Sequence, residues 1–99
     1  MSKKLNKHDK YVERLVKQIK SEYDNIYTHK KFSNKKRLIA EADVVAIKGK
    51  ETHFFEVKCS YRIVKARKQL KRLKRIHQGK EVSCFFYCGL AGQIIEVPC

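Results

Sequence analysis

Residues 40–58, AEADVVAIKGKETHFFEVK, decide how the rest of the chain is read. Residues 42–47 are a short β-branched run, Lys48-Gly49-Lys50 has turn chemistry, and residues 52–57 carry two aromatics, so the pattern predicts a β-hairpin. Side chains alternate along a strand, which places Asp43 on one face with Val45 and Ile47, and Phe54, Glu56 and Lys58 together on one face. Pairing that makes these faces coincide brings Asp43, Glu56 and Lys58 to one end of the hairpin. Two carboxylates inside a sheet are costly without a partner. A divalent cation is the simplest compensation. Mg²⁺ is usually held by one or two carboxylates together with phosphate oxygens and water. A lysine two residues beyond the second carboxylate is then placed to orient a water or to offset phosphate charge. Acid-x-Lys alone is common in surface hairpins. Its combination with Glu41-x-Asp43 upstream, inside apolar strands, gives the reading its weight.

The charge balance points to the partner. Among 99 residues there are 24 Lys and Arg against 10 Asp and Glu, a formal net charge of +14, which implies a polyanion and most simply nucleic acid. The acids are few and segregated. Glu13, Glu41, Asp43 and Glu56 fall where a cation site would want them, whereas ten Lys or Arg and no acid occupy residues 58–80. A hydrophobic fraction of 42% supports a folded single domain, 1–99, with residues 1–7 as a flexible basic arm. No run is long and apolar enough for a membrane, and the first residues lack the apolar core of a secretory signal. The expectation is a cytoplasmic, nucleoid-associated protein with no membrane partner and no small-molecule cofactor. Cys59, Cys84, Cys88 and Cys99 lack zinc spacing and are expected as reduced core thiols.

Around the hairpin, the spacing of Val12, Leu15, Val16, Ile19 and Tyr23 predicts a helix over about 8–23 with one apolar stripe. Glu13 and Glu22 border that stripe on opposite sides, so either could look into a cleft beside the sheet, with Glu13 preferred. Residues 26–32 read as a strand with Tyr27 and His29 on one face. A polar, basic loop of Ser33, Asn34, Lys35, Lys36 and Arg37 follows, suited to a bound phosphate. Ser60 is a candidate N-cap for a helix over 62–78, whose inner face is Ile63, Ala66, Leu70, Leu73 and Ile76 or His77. Lys65, Lys68, Arg72 and Arg75 form a basic rail on another face, and Gln69 is one turn after Lys65. Gly79 is the expected terminator. Residues 82–88 predict an internal strand parallel to the second hairpin strand, and residues 93–97 a last strand.

The order αβββαββ, with an acid on the first helix, Asp on the second strand and Glu-x-Lys on the third, resembles the PD-(D/E)xK nuclease superfamily. The likeness runs from about residue 11 to residue 97, and Gln69-Leu70 is similar to a helix Gln-Leu pair of several branches. Among small members the chain looks most like archaeal-type Holliday junction resolvases. The residue before Asp43 is Ala where many members have Pro. The resemblance implies a restriction-endonuclease-like fold, a mixed sheet of about five strands flanked by two helices, and an Mg²⁺-dependent endodeoxyribonuclease in which Mn²⁺ substitutes. It further implies metal ligation by Asp43, Glu56 and the Val57 carbonyl, support from Glu13 or Glu41, and Lys58 positioning the attacking water. The DNA would be branched or otherwise structured, held by the 33–37 loop, the rail and Gln69, and cut by a homodimer. The competing expectation is a non-catalytic or auxiliary nucleic-acid-binding module of the same fold. A third is a basic RNA-associated protein whose acids are structural.

Overall fold

A computed structural model describes residues 6–33, 38–77 and 81–98. The basic arm up to residue 5, Asn34 to Arg37 of the predicted phosphate loop, Gly79 and Cys99 lie outside the described residues. The chain forms α1 (Lys7–Ile19), a 3₁₀ turn (Lys20–Glu22), β1 (Asn25–Ser33), β2 (Leu38–Lys48), β3 (Glu51–Lys58), α2 (Ile63–His77), β4 (Val82–Cys88) and β5 (Gln93–Val97). The fold class is α/β, with a five-stranded sheet in the order β1-β2-β3-β4-β5. Every neighbouring pair is antiparallel except β3 and β4, which run parallel through the α2 crossover. That matches the parallel strand expected from the apolar run at 82–88.

Alternation along β4 puts one helix on each face of the sheet. Cys84, Phe86 and Cys88 pack with Ala66, Leu70 and Leu73 of α2, whereas Tyr87 packs with Tyr11, Val12, Leu15 and Ile19 of α1. The apolar periodicities read from both helices therefore build two cores that share one sheet. Gly89, just after β4, lets the α1 core close. A Cβ there would meet the Tyr11 ring at 2.2 Å, so the aromatic lies where any side chain would stand.

Several local expectations change. The first helix starts at Lys7, with the Asn6 side chain accepting the Asp9 N–H at 2.7 Å, so residues 6 and 7 belong to the helix start and not to an arm. It ends at Ile19 and tightens into the 3₁₀ turn, leaving Tyr23 extended. The Arg62 carbonyl accepts the Ala66 N–H at 3.2 Å, which makes Arg62, not Ser60, the capping residue of α2. Cys84 is disulfide-bonded, so the reduced state holds for Cys59 and Cys88 and not for Cys84.

The largest departure is a change of strand phase. Ala40 and Ala42 pack on the α2 side, yet Val44 and Ala46 pack on the α1 side. On β1, Phe32 packs on the α2 side and Ile26 on the α1 side, although an even offset in sequence would place them on the same face. The pairs Thr28↔Val44 and Lys30↔Ala42 flank the switch, which sets His29 opposite Asp43. His29 is also the described non-glycine residue with positive φ, at 52°, a left-handed conformation that reverses the alternation. Simple alternation therefore fails at the two residues that face each other, and Tyr27 and His29 do not share a face. Among the described residues, no helix is long and apolar enough to cross a membrane.

Candidate metal and phosphate site

The β2–β3 ladder runs from Lys48↔Glu51 to Val44↔Phe55 and stops. Its continuation would set Asp43 opposite Glu56 and hand the Val57 N–H to Ala42. The Asp43 carboxylate takes that bond instead, with Oδ2 accepting from the Val57 N–H at 2.9 Å. A side chain thus closes the hairpin where the phase change carries β2 away from β3. The consequence is a buried pair of acids. Asp43 is 8% exposed and Glu56 6%.

Glu56 is buried in an environment that only partly compensates its charge. Its Oε2 lies 3.1 Å from the Lys58 ammonium, while Oε1 is buried and has no hydrogen-bond partner among the described residues. Burial, followed by the charge of Asp43, pushes the Glu56 carboxyl up to about 7, against the opposing pull of Lys58. One lysine therefore compensates only part of a two-carboxylate site. Asp43, Glu56 and Lys58 lie together as expected, although the paired ladder ends at Val44↔Phe55 and alternation, on which the expectation rested, fails at Asp43.

Three groups not singled out from the sequence complete the surroundings. His8, on the first turn of α1, places Nε2 3.0 Å from the Val57 carbonyl oxygen and 3.3 Å from Asp43 Oδ2. An imidazole nitrogen thus stands against two of the oxygens expected to hold a cation. His29 Nε2 is 3.6 Å from Asp9 Oδ1, and His29 Nδ1 is 3.8 Å from Glu41 Oε1. Ligand atoms of His29, Glu41 and Asp43 lie within 4.8 Å of one another. No spacing in the sequence links these histidines to the acids. Only the helix start and the β1–β2 register do.

The remaining expected residues separate into three groups. Glu41 is half-buried beside His29, and its carbonyl accepts the Gln69 side-chain N–H at 2.9 Å. Gln69 therefore ties α2 to the acidic strand rather than reaching outward. Glu13 is exposed on α1, in the wall of a cavity of about 450 Å³ that it shares with Asp9, Val12, Val16, Lys17, Thr28 and His29. That is next to His29 but outside the closest group of candidate ligands among the described residues. Glu22 lies at the other end of α1, beside Tyr23, whose hydroxyl is 2.7 Å from His53 Nδ1 near the hairpin turn, so it is remote from Asp43.

Lys65, Lys68, Arg72 and Arg75 are all exposed, as a phosphate rail requires. Arg67 and Lys71 widen it, forming with Val64 and Lys68 a shallow groove of about 190 Å³. Ser33 is exposed at the end of β1, next to a register irregularity. Comparison of the chain with protein-family models, curated proteins and solved structures gives no match.

Proposed function

We propose that the protein is a metal-dependent, structure-selective DNA endonuclease with a restriction-endonuclease-like, PD-(D/E)xK core, and that branched DNA such as a Holliday junction is its substrate. The observation that carries this reading is the buried Glu56 carboxylate set against Asp43, its Oε1 without a hydrogen-bond donor among the described residues, in a chain of net charge +14. A protein selected only to bind polyanions gains nothing from burying two acids together. A phosphodiesterase gains a cation site.

The donor set fits Mg²⁺, with Mn²⁺ as a substitute: two carboxylates and the Val57 carbonyl, all hard oxygens. When bound, the ion supplies Lewis-acid stabilisation of the charge that builds on the phosphate. Asp43 and Glu56 would hold it, and the Val57 carbonyl would exchange its contact with His8 for it. The Lys58 ammonium, set by Glu56 Oε2, orients the attacking water and offsets negative charge on the phosphoryl oxygens as the P–O bond breaks. The products would be a 5′-phosphate and a 3′-hydroxyl. Glu13 and Glu41 are further carboxylates on the same side, available to a second ion or to a bound water. The rail on α2 and the 33–37 loop would grip phosphates rather than bases, which favours recognition of DNA shape. Two symmetric cuts in a junction call for a homodimer.

Cleavage of labelled four-way junction, flap and plain duplex, with Mg²⁺ or EDTA, tests the reading. Wild type is run beside Asp43→Asn. Metal-dependent cutting of the junction, lost in the variant while binding persists, is the expected result. Flap-only cutting would keep the chemistry and discard the junction. Tight binding with no cutting of any substrate would leave an auxiliary nucleic-acid-binding module.

A further inference from the structure

We infer that His29, Glu41 and Asp43 form a second cation site, distinct in chemistry from the oxygen-only site at Glu56, that binds a first-row divalent transition metal through an imidazole nitrogen and two carboxylates. Asp43 is the group the two sites share. Metal binding here holds or fails independently of the nuclease reading.

Four observations converge on it. The candidate ligand atoms lie within 4.8 Å of one another. A cation about 2.1 Å from each donor needs them about 3 to 3.5 Å apart, so the group closes by small side-chain movements. Second, a further histidine and a further carboxylate adjoin the group. His8 Nε2 is 3.3 Å from Asp43 Oδ2, and Asp9 Oδ1 is 3.6 Å from both His8 Nδ1 and His29 Nε2. Third, this is a chain with 24 Lys and Arg, yet among the described residues the ion pairs of Asp9, Glu41 and Asp43 are all to histidine. Facing imidazoles rather than permanent cations among the described residues, these acids present their oxygens to a metal.

Fourth, the group opens to ligand. Asp43 is buried, but His29 is exposed and Glu41 only half-buried, and the neighbouring cavity of about 450 Å³ between α1 and β1 is lined by His29 and Asp9. An ion can enter from that side without passing the buried Glu56.

The donor types set the class of metal. Imidazole suits Zn²⁺, Co²⁺ and Ni²⁺, whereas Mg²⁺ prefers oxygen and retains its water. The His29 site is therefore expected to discriminate in favour of transition metals and to remain empty in Mg²⁺ alone. Two ions sharing Asp43 would lie a few ångströms apart, the arrangement in which paired metals clamp one phosphate.

The test uses Co²⁺ as the probe on the full chain. Binding is measured by isothermal titration, and ligation by the exchangeable imidazole N–H, which a bound paramagnetic Co²⁺ shifts far outside the protein's NMR envelope. Wild type is expected to show a shifted imidazole resonance. His29→Gly, which accepts the positive φ at this position without strain, should lose it and bind Co²⁺ more weakly by at least about tenfold, the scale for losing even a residue that only orients a ligand. Glu41→Gln should weaken Co²⁺ binding similarly, and Glu56→Gln should leave the His29 resonance in place. Absence of any shifted imidazole in wild type, or its persistence in His29→Gly, overturns the inference. Mg²⁺-dependent cleavage without imidazole-ligated Co²⁺ would sink this site and spare the nuclease. A shifted His29 resonance in a protein that cuts no DNA would do the reverse.

Discussion

Asp43 and Glu56 are a liability to the fold, and the proposed function makes them the centre of its chemistry. The folded value of the Glu56 carboxyl, about 7, lies above its ordinary value of 4.5. A group raised in this way binds its proton more tightly in the folded protein. Its contribution to stability is full below about pH 4.5 and is lost as pH climbs through about 7. The metal-free protein should therefore lose stability, on the order of a few kcal/mol, between pH 5 and pH 8. Removing the Asp43 charge relieves part of that repulsion while leaving an oxygen to accept the Val57 N–H. Asp43→Asn should raise the Tm at pH 8 by roughly 5 °C or more, with much less effect at pH 5. Thermal unfolding with EDTA at both pH values checks this. Equal Tm values for the two proteins at pH 8 would mean that the acids do not strain each other.

Among the elements, the site is made by strands that change phase together. How far this was legible in the sequence differs by residue. The helix stripes, the Lys48–Lys50 turn and the parallel β4 follow from periodicity and turn chemistry, because each depends on neighbours a few residues away. Asp43 and Glu56 were legible because acids in apolar strands violate a local rule. His8 and His29 were not, since His29 meets Asp43 only through the β1–β2 register and a positive φ, and His8 only through where α1 crosses the sheet. The apolar run at 44–46 hid the phase change, because both faces of the strand are buried. Gln69 illustrates the same limit. Its spacing suggests a contact to DNA, but its amide is committed to the Glu41 carbonyl. Gln69→Leu should cost about 1–2 kcal/mol of stability, by leaving that carbonyl without its donor, and should slow cleavage with DNA affinity unchanged. A drop in affinity and salt sensitivity would instead make Gln69 a phosphate contact.

Across the molecule, charge and architecture divide the labour. Two helices cover a five-stranded sheet, the acids gather where β2 leaves β3, and the outer face of α2 carries exposed Lys65, Lys68, Arg72 and Arg75. If that face holds phosphates, replacing Lys68 and Arg72 by Gln should lower the slope of log affinity against log salt by about 0.9 for each phosphate no longer neutralised, whatever the DNA sequence. Fluorescence anisotropy across a salt series measures it, and an unchanged slope would move the DNA to another face. Everything proposed for cleavage, however, depends on Asp43, Glu56 and Lys58 forming a phosphodiesterase centre. The single-turnover rate of Mg²⁺-dependent junction cleavage by Lys58→Ala against wild type, at DNA saturation, probes that centre directly. A loss of roughly 100-fold or more with binding intact is expected if Lys58 orients the water and offsets phosphate charge. Undiminished cutting by Lys58→Ala would contradict it.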